Sequence, residues 1–294
     1  MTAGRRPNGG RGTSRGTGRG RARRISACLC ALGASAALLL VAAGSAGSTD
    51  RSGSVLAAGR GLAVDQLAPA ATGPVAGVGQ SFGGVAAVGA LFTETDGKLA
   101  AHFCTASVVD SKGGDLAVTA AHCVYGKTGT LVFVPGYADG NAPYGVWPVA
   151  KVYTDAAWNA SRDPDHDVAF LRLADASDGA PIEDLTGAET LAANAPAGQL
   201  VQVIGYPDGA ARPVWCSGRA TGLSPTQLQF DCAGYPVGTS GGPFLTDTDA
   251  ATGQGTVIGV IGGYQQGGDT PQVSYAAVFG PAVAALYATA QAGG

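Results

Sequence analysis

Three histidines, His102, His122 and His166, are all the chain offers for imidazole chemistry. A Gly-rich run, Gly238-Thr239-Ser240-Gly241-Gly242-Pro243, sets a small hydroxyl among glycines. Glycines permit unusual backbone angles and let amide N–H groups face a developing oxyanion, so Ser240 suits a nucleophile. A serine hydroxyl attacks only when a base takes its proton, and an imidazole titrates near neutrality. Chain order narrows the options. The Gly-x-Ser-x-Gly elbow of α/β-hydrolases needs a histidine after the serine, and none follows Ser240. An Asp–His–Ser order belongs with a parallel sheet, whose βα alternation is missing here. The order that remains is His, Asp, Ser, which this sequence offers with any of its histidines ahead of Ser240. Asp163, Asp165 and Asp167 compete for the orienting role. Their alternate spacing also suggests calcium, but an EF-hand loop needs Gly at its sixth position and Glu at its twelfth, where Val168 and Ala174 stand.

Such residues need a rigid frame. With Gly at 48 of 294 positions and charged residues at 13%, long salt-bridged helices are excluded. From Val85 onward come six short apolar runs: VAAVGALF, FCTASVV, LAVTAAHCV, TLVFVPG, VAKVY and VAFLRL. A bridge rich in Ala, Asp and Gly precedes five more: LVQVIGYP, LQFDCAG, PFLT, TVIGVIGGY and VSYAAVF. Short strands separated by turn signals predict an all-β sandwich or closed barrels. The last segment, PAVAALYATAQA, opens with Pro281 and places Val283, Leu286, Tyr287 and Ala290 on one face, which predicts a C-terminal helix.

Thr119-Ala120-Ala121-His122-Cys123 resembles the histidine motif of chymotrypsin-clan serine proteases, and His102-Phe103-Cys104-Thr105-Ala106-Ser107 resembles the strand whose cysteine bridges to it. Asp167-Val168-Ala169-Phe170-Leu171-Arg172-Leu173 resembles the strand opened by that clan's aspartate, and Gly238 to Pro243 resembles its nucleophile motif. The resemblance implies two antiparallel six-stranded β-barrels with a short C-terminal helix. It implies a serine endopeptidase acting on protein or peptide substrates with no cofactor and no metal. His122, Asp167 and Ser240 would form the triad, and the amides of Gly238 and Ser240 the oxyanion hole. Stretches such as VGALF, CTASVV, TAAHCV and IGYP are similar to the bacterial glutamyl-endopeptidase-like branch. That branch uses a histidine where Ile261 stands, so specificity for Glu loses its support. Gly234, Tyr235, Ile261, Gly263 and Tyr264 are expected to line the primary pocket, with an apolar or aromatic preference. Gly234 falls near the place trypsin uses for its pocket aspartate. Thr239 replaces the aspartate that pairs with a new amino terminus in trypsin, so activation by that ion pair is not expected.

The first residues tell of export. Eight of the 18 Lys+Arg precede residue 25, and an apolar run, Ile25 to Ala43, then leads into small residues. A basic, apolar and small-residue succession reads as a secretory signal over 1–47, followed by an Ala/Gly/Pro-rich propeptide or linker over 48–77 and a protease domain over 78–294. A retained membrane anchor is the rival reading, but the run is short and interrupted by Gly33 and Ser35. Removal of the leader leaves ten basic against 21 acidic side chains, which argues against nucleic-acid binding. Cys28 and Cys30 leave with the signal. Cys104, Cys123, Cys216 and Cys232 remain, an even number in a secreted chain, so two disulfides are expected. Three pairings exist, of which the nearest-neighbour one, Cys104–Cys123 with Cys216–Cys232, is preferred. A zinc site lacks a Cys-x-x-Cys pair. The expected product is a secreted monomer without membrane contact after signal removal. A catalytically silent binding module and an esterase on the same site are the rival functions.

Overall fold

The structure, a computed structural model, describes residues 77–174 and 179–293. The signal and propeptide expectations therefore lie outside the described residues, apart from Gly77. Twelve strands carry the fold. The first six are β1 (Val88–Thr95), β2 (Cys104–Val109), β3 (Leu116–Thr119), β4 (Thr130–Pro135), β5 (Trp147–Thr154) and β6 (Ala169–Leu173). They pair antiparallel in the order β1-β2-β3-β6-β5-β4, and β4 returns to β1 along Gly89↔Pro135 to Glu94↔Thr130. This closes the first barrel. Its interior is filled by side chains that the register places on one face, among them Leu91, Val108, Phe133 and Leu171.

The second six are β7 (Gln199–Gly205), β8 (Val214–Gly222), β9 (Gln227–Ala233), β10 (Pro243–Thr246), β11 (Thr256–Val260) and β12 (Val273–Ala277). Their order is β12-β9-β8-β7-β10-β11, again antiparallel. The end strands meet without a ladder. Gly262 N–H donates to Tyr275 O at 2.9 Å just beyond β11. Val201, Val203, Phe230, Phe244 and Ile258 form this barrel's core. Eleven of the strands follow the apolar runs of the sequence; β8 does not. Its sequence, VWCSGRATG, has an Arg and two glycines, and Gly218 is needed because a Cβ there would lie 2.9 Å from the Phe230 ring.

Both cysteine pairs are nearest neighbours, Cys104–Cys123 and Cys216–Cys232. The ends of the described residues cross between barrels. Gly77–Val78 pairs with Cys232-Ala233 and Gln80–Ser81 with Val214-Trp215, so the segment before the first barrel is bound to the second. At the other end α3 (Pro281–Ala292) leaves the second barrel and packs on the first. Tyr287 stacks on Phe170 with ring centroids 5.2 Å apart, and Arg172 donates to the Ala290 carbonyl. Among the described residues no helix is long and apolar enough to cross a membrane.

Candidate active site

His122 sits in α1 (Ala121–Val124), a single helical turn directly after β3. The turn displaces the chain from the barrel wall and leaves the imidazole partly exposed, with its side chain 15% accessible. Asp167 ends a 3-10 turn, Pro164–His166, immediately before β6. The three competing aspartates diverge here. Asp163 caps the turn by accepting from Asp165 N–H at 3.0 Å, and Asp165 accepts from Gln227 Nε2 at 2.7 Å across the barrels. Only the Asp167 carboxylate turns to His122. Its Oδ1 accepts from His122 N–H at 2.8 Å, and its Oδ2 lies 2.7 Å from Nδ1. A further donor, Gly263 N–H, reaches Oδ2 at 2.9 Å. The carboxylate is buried, so these bonds fix its position and leave Nε2 as the free nitrogen. A Cβ at Gly262 would sit 3.1 Å from Oδ2, so a bare backbone lies against the carboxylate there.

Ser240 belongs to the turn that joins β9 to β10. Gly238 has φ +98 and Gly241 φ +81, a region costly for other residues. Neither has room for a side chain. A Cβ on Gly238 would lie 2.3 Å from Asp208 N, and one on Gly241 would lie 2.1 Å from Thr105 O. Within the turn the N–H groups of Thr239, Gly241 and Gly242 bond to Pro236 O, Ile261 O and Thr239 O. Those of Gly238 and Ser240 meet no acceptor among the described residues. Two unspent donors beside a partly exposed hydroxyl can stabilise an oxyanion. Thr239 is buried and donates its hydroxyl to Pro236 O at 2.8 Å, which satisfies it without a charged partner.

The two halves meet in a cleft of about 390 Å³ that both His122 and Ser240 line. His122 Nε2 lies 3.8 Å from Cys123 Sγ, and the disulfide, Phe103 and Lys127 line the same cleft. No hydrogen bond joins Nε2 to Ser240 Oγ among the described residues. Tyr235 and Ile261 line the same cleft, with Gly267 and Pro271. The Tyr235 ring is turned into the second core, where its hydroxyl donates to Val203 O at 2.7 Å; burial pushes that hydroxyl's pKa well above its ordinary value. Gly234 is held against the Gly77–Gly79 segment, and its N–H donates to Pro271 O at 2.8 Å. Gly263 lies at the Asp167 carboxylate, and Tyr264 is exposed, edge-on to Tyr275. Among the described residues the one cluster of ligand types is Cys104, His122 and Cys123, whose sulfurs are spent in the disulfide.

Two contributors escaped sequence reasoning. Thr105, on β2, donates its N–H to Ser240 O at 2.7 Å and its hydroxyl to Gly238 O at 3.2 Å. That hydroxyl also accepts from Tyr206 N–H at 2.8 Å. A threonine in an apolar strand gives no signal of this. The Gly263 N–H is likewise invisible, because a backbone donor has no residue type.

A family profile described as trypsin-like peptidase domain matches residues 104–260, more than half of the chain. The chain belongs to the trypsin-like peptidase family. Solved structures agree with the peptidase's architecture. The protease Anisep from Arthrobacter nicotinovorans superposes with a TM-score of 0.62 at 26% identity, covering 73% of this chain and 100% of that one. The thermostable serine protease AL20 from an extremophilic microorganism gives 0.61 at 26% identity, covering 71% and 99%. A Glu endopeptidase in complex with MPD gives 0.57 at 16% identity, covering 74% and 97%, a likeness of fold alone. No curated protein matches the sequence. The peptidase is thus a peptide hydrolase with the fold of chymotrypsin-like serine proteases.

Proposed function

We propose that this peptidase is a secreted serine endopeptidase that cuts through an acyl-enzyme, with Ser240 as nucleophile, His122 as base and Asp167 as the orienting group. The observation that supports it most is the buried Asp167 carboxylate, which bonds both His122 N–H and Nδ1 and turns Nε2 toward the cleft shared with Ser240. In this reading Oγ adds to the scissile carbonyl carbon while its proton passes to Nε2, and the carbonyl oxygen takes the negative charge between the amides of Gly238 and Ser240. Collapse expels the amine, which takes the proton from Nε2. Water then repeats the sequence on the ester, releasing the acid and restoring Oγ–H. The missing Nε2–Oγ bond fits this scheme, since catalytic hydrogen bonds tighten when substrate arrives. The basic leader, the apolar run after it and the two disulfides support export. Trimming before about residue 78 would follow.

The test is labelling of the secreted protein by a fluorophosphonate probe together with peptide hydrolysis. Wild type is expected to label and to cleave. Ser240→Ala and His122→Ala are expected to lose labelling and about 10⁵–10⁶ in kcat. Asp167→Asn is expected to fold and to lose about 10⁴, because the imidazole is held in the wrong tautomer. A folded, trimmed wild type that neither labels nor cleaves would replace this reading with the silent binding module.

A further inference from the structure

A second groove, of about 430 Å³, shares His122 with the first and is not lined by the disulfide. Tyr125, Trp158, Arg162, Gly263 and Gln265 line it. With the departing amine placed beside the disulfide, 3.8 Å from Nε2, this groove is left for the acyl side of a bound peptide. Its one cation is Arg162, and that side chain is built into place. Arg162 follows the short helix α2 (Ala156–Ser161) in a left-handed conformation, φ 59 and ψ 41. Its guanidinium lies 3.5 Å over the Tyr125 ring and 5.6 Å from that of Trp158. Nη1 donates to Trp158 O at 2.7 Å and to Asn159 O at 3.1 Å.

Capping of helix carbonyls alone would explain a cation here. It does not explain the rest of the group. Both bonds come from Nη1, so Nε and Nη2, the edge that takes a carboxylate in a two-pronged bond, have no partner among the described residues. No described carboxylate forms an ion pair with Arg162 either; Asp155 next to α2 is engaged by His166 at 2.9 Å. A guanidinium stacked on an aromatic ring, anchored at one nitrogen and open at the other edge, is a preformed carboxylate receptor.

We infer that Arg162 selects an acidic side chain on the acyl side of the scissile bond, one to three residues before the residue that fills the primary cleft; this rests on the serine-peptidase reading above. The test uses peptides found by library cleavage, made in pairs with Glu or Gln at each of those three positions. Wild type is expected to show about tenfold higher kcat/KM for Glu at one position at low salt, and a smaller preference in high salt. Arg162→Gln is expected to bring the ratio of the Glu and Gln rates to about one, whatever its absolute rate on either peptide. Arg162→Lys is expected to retain only part of the preference, because a point charge lacks the fork. If Arg162→Gln fails to fold, the wild-type comparison at two salt concentrations decides by itself. Equal wild-type rates on Glu and Gln peptides at all three positions overturn the assignment and leave the peptidase reading intact. A protein that cleaves no peptide overturns both.

Discussion

The Thr105 hydroxyl accepts from Tyr206 N–H and donates to Gly238 O, so one first-barrel side chain fixes the turn that carries Ser240 in the second. All of these groups are buried, and the bonds are unavailable from water. Thr105→Val keeps the shape and removes the hydroxyl. It is expected to destabilise the fold by about 1–3 kcal/mol, the cost of leaving buried backbone partners unmet. Because the Gly238 amide belongs to the proposed oxyanion hole, kcat is expected to fall on the order of tenfold with little change in KM. Thr105→Ser should restore most of it. Steady-state kinetics alongside denaturant unfolding separate the two effects, and an unchanged kcat would remove Thr105 from the positioning of the hole.

Elements differ in how much of them a sequence can state. The loop from β9 to β10 is legible because its demands are steric. Gly241 has positive φ and a Cβ would strike Thr105 O, while Gly209, φ +70, has nothing within 4 Å. Gly241→Ala is therefore expected to cost more than ~2 kcal/mol and to abolish labelling, whereas Gly209→Ala should cost about 1 kcal/mol or less and leave labelling intact. Urea midpoints of the two variants check the contrast. The strands around that loop were legible through their apolar runs, and the presence of two disulfides through cysteine parity, which left three pairings open. Strand β8 was not, because its Arg219 and Thr221 face solvent and Gly218 serves another residue's ring. The triad candidates stood out by type and order. Thr105 and the Gly263 amide did not, since their roles come from chain segments that meet only after both barrels form.

At the scale of the molecule the barrels are joined by a connector whose centre is Glu189. Its backbone bonds to Val108 and Asp110 of the first barrel, and its carboxylate accepts from Gly255 N–H of the second. Burial pushes this carboxyl up to about 8, and the Gly255 N–H offsets only part of that. The unfolded carboxyl, near 4.5, releases its proton first, so the folded form holds the extra proton between the two values. Stability is full below about pH 4.5 and declines as pH rises to 8, at up to ~1.4 kcal/mol per unit from this group. Glu189→Gln is expected to flatten the decline between pH 5 and 8 in denaturant midpoints; an equal slope in both proteins would refute the role. The last helix has a consequence of a different kind. α3 closes over β6 through Tyr287 and Arg172, so a strand of the first barrel is held by a segment that follows the second. A chain cut between the barrels would leave the Phe170 ring without its stacking partner and the Arg172 guanidinium without its helix carbonyl.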